Sequence, residues 1–154
     1  MTYLRTILQF FLAATFLFSA YTKAAAPGFF EVLLEQQGLV PSRLYGAWAT
    51  RFIIALETWL GLCLLLSFYA RFILRFSFLL LVAFSVHLGY LIAIGETGNC
   101  GCFGEMISMS PLASLGKNIV LLAVNGFLLR YKFRSNKKPR ITWLFLPLLF
   151  AAAT

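Results

Sequence analysis

Only 12% of the 154 residues are charged and 61% are apolar, about half the charge of a soluble domain, so a water-soluble globule is excluded. The formal net charge is +8, from 13 Lys and Arg against 5 Asp and Glu. Those cations sit in short segments beside apolar runs, where they signal topology against anionic lipid, and nucleic-acid binding is excluded as their purpose.

Apolar stretches of about 18 residues or more with few charges mark membrane spans. The first runs from Leu4 to Ala25. Arg5 and the small residues Ala24, Ala25 and Ala26 give it some likeness to a secretory signal. It is longer than the usual apolar region of about 7 to 15 residues, and Lys23 and Pro27 beside the site also count against cleavage. In the next segment Phe29, Phe30, Leu33, Leu34 and Val40 interleave with Glu31, Glu35, Gln36 and Gln37 before Gly38 and Pro41. A short interfacial helix is expected there, as a lid over the bundle or, alternatively, a docking surface for a partner. The second span runs from Leu44 to Phe68, the third from Phe72 to Ile94 and the fourth from Pro111 to Tyr131. A last apolar run, Ile141 to Thr154, contains Pro147 and falls short of the roughly 20 residues a span needs. The expected fold is an all-α membrane protein, a four-transmembrane-helix bundle over residues 1–140 followed by an incomplete fifth segment at 141–154.

Lys and Arg in short loops face the cytoplasm. Arg71 and Arg75 lie between the second and third spans, and Arg130, Lys132, Arg134, Lys137, Lys138 and Arg140 follow the fourth. The expected orientation is therefore a multi-pass protein of the cell (inner) membrane with a cytoplasmic N-terminus. The Pro27–Arg43 segment and the break from Glu96 to Ser110 would then face outward, to the periplasm.

That break carries Cys100-Gly101-Cys102. Thiols one residue apart close on each other if their Cα atoms come within roughly 4.4 to 6.8 Å, and Gly101 removes the Cβ that would resist the bend. So small a ring is strained, which favours a labile, exchanging disulfide. The oxidising outer compartment suits it. Lys117, early in the fourth span, is a candidate to favour the thiolate. Two alternatives stand beside redox exchange: a static bridge, and a soft-ion site for copper(I). Zinc lacks its second ligand pair. Cys63, about 28 Å below the outer end of its span by helical rise, reads as a small apolar core residue.

Polar groups inside spans cost free energy unless paired or turned inward. By helical rise Arg51 lies about 10 Å and Glu57 about 20 Å below the outer end of the second span. Six residues apart, they cannot be aligned tightly on one helix. Lys23 and His87 fall in the outer parts of their spans, and Asn118 shares a face with Asn125. One reading is structural, with Glu57 paired to Arg51 or Lys23 and the asparagines bonding between helices. The other makes Arg51, Glu57, His87 and Asn118 a layer beneath the thiols that holds a quinone-like acceptor or carries protons, with His87 able to change charge near neutral pH.

The stretch Gly38-Leu39-Val40-Pro41, then Arg51, then Leu56-Glu57-Thr58-Trp59-Leu60-Gly61-Leu62, with Arg71 after the span, resembles the DoxX-like membrane proteins. The Cys100-Gly101-Cys102-Phe103-Gly104 loop, with Asn118 early in the next span, is similar to the MauE branch, the methylamine utilisation proteins. The resemblance covers the chain to about Tyr131 and implies a four-helix membrane bundle. It implies assistance in forming or maintaining disulfides of exported Cys-containing clients, together with a thioredoxin-like protein or domain on the outer face, as in methylamine dehydrogenase maturation. Cys100 and Cys102 would be the exchanging pair of a thiol-disulfide oxidoreductase component. The competing readings are a non-catalytic anchoring or assembly protein and a copper-binding module with a static Cys pair.

Overall fold

Each of the four long apolar runs becomes a helix. The computed structural model describes residues 2–67 and 70–130, which form α1 (Thr2–Ala25), α2 (Pro27–Gln36), α3 (Arg43–Leu65), α4 (Ala70–Ala93) and α5 (Pro111–Arg130). Helices α1, α3, α4 and α5 are long and apolar enough to cross a membrane, and the chain is a multi-pass, all-helical membrane protein. The fifth apolar segment expected at 141–154, and with it the division at residue 140, lies outside the described residues.

Helix ends follow local chemistry. Pro27 opens α2, where its missing N–H would be unpaired in any case and its ring presets φ. The helix closes with Leu39 N–H donating to Leu34 C=O and Gly38 N–H to Glu35 C=O, both at 3.0 Å, the paired bonds of a Schellman stop. Helix α4 ends in the same way, through Glu96 to Leu91 at 2.9 Å and Gly95 to Ile92 at 3.1 Å. At α5 the Ser110 hydroxyl accepts from Ala113 N–H at 3.3 Å, capping a start that Pro111 also favours.

Helix α1 packs chiefly on α3, and α4 on α5, while the two pairs touch one another more sparingly. At the end near the α3–α4 turn the gap is filled by a core that includes Leu12, Phe16, Leu60, Leu64, Leu74 and Leu128. In hydrocarbon such packing gains dispersion contact, not exclusion of water. Polar ties set the rotation of the helices: Asn125 bonds Ser77 at 2.8 Å across α4 and α5, and Gln9 of α1 donates to Ser67 Oγ at 2.9 Å. Such ties stabilise by only about 0.6 kcal/mol each on average, so they fix orientation more than they add stability. At the other end of the bundle, where α1 and α4 finish and α3 and α5 begin, a buried polar cluster around Lys23 and Glu57 adjoins a smaller apolar cluster of Leu88, Leu91 and Cys100, beside α2 and the 94–110 loop.

Candidate functional site

Asn99 organises the thiol loop. Its Oδ1 accepts from Gly101 N–H at 3.0 Å and from Met109 N–H at 3.4 Å, and its Nδ2 donates to Gly104 C=O at 3.2 Å. Cys100 N–H donates to Met109 C=O at 3.1 Å, so the two limbs of the loop are stitched together around one carboxamide. Gly101 adopts φ +72 and a Cβ there would collide with Leu33 and lie 3.1 Å from Phe30. Only glycine allows both the left-handed backbone and the close seat of α2. The Phe103 ring anchors the far limb, edge-on to Phe18 of α1 at 5.4 Å and 4.0 Å from the Lys117 ammonium.

Both thiols are free: Cys100 is buried and Cys102 half-buried. Cys100 Sγ lies 2.9 Å from Ser114 Oγ. A hydrogen bond from the Cys102 thiol, aided by Ser114 and the Lys117 charge, outweighs burial and brings Cys100 down to about 6. The same bond, with burial and the Cys100 charge, pushes Cys102 far up. One proton shared between two sulfurs thus leaves a thiolate at Cys100 and a thiol at Cys102 near neutral pH.

Below the loop lies a buried ion pair. Lys23 Nζ donates to Glu57 Oε1 at 3.1 Å and Oε2 at 3.0 Å, and the two side chains are 2% and 4% exposed. The same ammonium donates to Ser19 Oγ at 2.6 Å and to Cys102 C=O at 3.0 Å. Ser19 adds its own hydroxyl to that carbonyl at 3.0 Å. A charge buried in α1 therefore reaches both the carboxylate of α3 and the backbone of the thiol loop.

Glu57, His87, Asn118 and both cysteines line one open-mouthed cavity. His87 Nε2–H donates to Gln37 Oε1 at 2.9 Å, linking α4 to the end of α2. Asn118 is 3% exposed. Arg51 lies elsewhere: it is exposed and sits 5.9 Å from the Trp48 ring, outside the cavity lining. Cys63 packs beside the apolar core at the opposite end. Among the described residues no group of three or more His, Cys, Asp or Glu could hold a metal ion.

The sequence reading missed Ser19, Asn99 and Ser114. Two of them were signalled by spacing, since Ser19 and Lys23, like Ser114 and Asn118, stand four residues apart and share a helix face. Asn99 gave no signal beyond its place beside Cys100.

In comparisons with known proteins, the family model described as methylamine utilisation protein MauE matches residues 1–131. Protein TlpB of Flavobacterium psychrophilum is 34% identical over 139 residues, covering 86% of this chain and 37% of the relative. The chain thus spans little more than a third of that relative's length. No solved structure matches.

Proposed function

The chain belongs to the MauE family, and on that premise we propose that it is a membrane thiol-redox protein that exchanges disulfides with a thioredoxin-like protein or domain and so supports disulfide formation or maintenance in exported proteins. The observation that carries this is the asymmetric dithiol: two sulfurs either side of Gly101, one stabilised as thiolate chiefly by the hydrogen bond from the other, with Ser114 at 2.9 Å and the Lys117 charge adding to it. A static bridge has no use for a stabilised thiolate. An exchanging pair does, because the low-pKa sulfur is the better leaving group. In the exchange, a partner thiolate attacks the less buried Cys102 sulfur of the oxidised pair and expels Cys100 as thiolate. A second partner thiol then resolves the mixed disulfide, leaving the partner oxidised and the pair reduced.

The distribution of Arg71, Arg75 and Arg130 supports a cytoplasmic α3–α4 turn and an outward thiol loop in the cell (inner) membrane, where an exported partner and its clients would meet it. With Cys100→Ser, a thioredoxin-like protein should be trapped at Cys102 as a mixed disulfide stable to mild washing. If neither single-Cys variant traps one, and the wild-type pair resists mild reductant in membranes, the bridge is static and the protein is an anchor.

A further inference from the structure

We propose that the cavity beneath the dithiol binds a quinone-class molecule, a flat apolar ring with carbonyl oxygens, as the electron acceptor of the pair; this rests on the thiol-exchange reading above. Asn118 carries the inference. Its amide lines the cavity, the residue is 3% exposed, and it makes no hydrogen bond to any described residue. The amide is open to the cavity, and because an amide kept dry and unpaired costs about 1 to 3 kcal/mol, a ligand that bonds it there is favoured. The walls beside it, Phe16, Leu81, Phe84, Leu88 and Leu121, suit a ring and offer water few second partners.

Register places that amide against the chemistry. Ser114 touches Cys100 at 2.9 Å, and Asn118 stands one turn deeper on the same face, about 6 Å along the axis. A ring whose carbonyl meets Asn118 therefore lies within its own length of the Cys100 sulfur. Lys117 lines the same space and offers positive charge where a reduced ring oxygen gathers electrons. An external acceptor is needed, because the remaining described cysteine, Cys63, lies at the far end of the bundle.

The step balances. The Cys100 thiolate and Cys102 thiol form one S–S bond and lose two electrons. The quinone takes both, with the Cys102 proton and one from water, and leaves as the quinol.

The test uses the full chain in lipid nanodiscs. In the Cys100→Ser/Cys102→Ser variant, which cannot turn over, an azido-ubiquinone should photolabel the segment around Asn118. Decylubiquinone should compete, whereas the same substituted ring without its carbonyl oxygens should compete at least tenfold less well. Asn118→Leu should cut labelling by about tenfold, the scale of one buried hydrogen bond; the analogue comparison decides the matter should that variant lose its helical circular dichroism. Equal competition by the two rings, or label spread evenly over α1, α4 and α5, overturns the inference. So does a wild-type dithiol that exchanges with a trapped thioredoxin-like partner but is not oxidised by decylubiquinone, an outcome that leaves the exchange reading standing. Failure to trap any partner, with quinone labelling intact, would instead remove the exchange reading.

Discussion

Breaking the Lys23–Glu57 pair should be far more damaging than losing an ordinary bond between membrane helices. Interhelical hydrogen bonds in bilayers average about 0.6 kcal/mol. Here the ammonium holds both carboxylate oxygens at 3.0 to 3.1 Å with side chains 2% and 4% exposed, so removing one partner strands a charge and should cost about 3 to 5 kcal/mol. Replacing both, as Lys23→Met with Glu57→Leu, strands none and should cost much less than the sum of the singles, because apolar groups of similar size often substitute for a buried pair at little net cost. Unfolding in mixed micelles, followed by circular dichroism for wild type, both singles and the double, closes the cycle. A coupling of about 3 kcal/mol is expected. Additivity within about 0.5 kcal/mol, the behaviour of independent sites, would refute the claim that each charge is held chiefly by the other. Lys23→Met should also speed alkylation of Cys102, since its carbonyl loses one of its two donors and keeps only Ser19.

In a Cys63→Ala background, alkylation of Cys100 should follow a midpoint near 6, and Cys102→Ala, which removes the largest cause of that depression, should move it upward; an unchanged midpoint would count against the shared proton. The lowered value makes a stability contribution present above the unfolded thiol's pKa of about 8.5 and lost as pH falls through about 6. The reduced protein should therefore gain stability across that window as pH rises, whereas Cys100→Ser should show a flatter dependence. Gly101→Ala, with φ +72 and its Cβ against Leu33, should destabilise by about 1 to 3 kcal/mol and increase thiol labelling by lifting α2. His87→Ala and Gln37→Ala should each raise the labelling rate of Cys102 to a similar degree, and the double variant no further, because both remove the same bond, at 2.9 Å, between α4 and the end of α2.

The spans were legible because long apolar runs leave the backbone no alternative to a helix in lipid. Their ends were legible only where the signal was local. Pro111 was placed correctly, while the second span, expected to reach Phe68, stops at Leu65 where Gln9 of α1 meets Ser67, a contact between residues far apart in the chain. The thiol pair was equally local, since two cysteines one residue apart are near neighbours in any fold, although Asn99 and Met109 fix the turn that holds them. What holds the pair came from four helices and could be read only in fragments. Depth along a span can be counted from rise, but what a side chain meets depends on rotation, and rotation decides between Arg51 and Lys23 as the counter-ion of Glu57. Six residues turn a helix by about 600°, leaving two side chains roughly 120° apart. With Glu57 facing inward, Arg51 is carried to the outer surface of α3, where it settles over Trp48. The carboxylate must then take its cation from another helix. Lys23, in the last turn of α1, supplies it and extends to the Cys102 carbonyl, which is how a charge buried among the helices comes to hold the loop where the chemistry takes place.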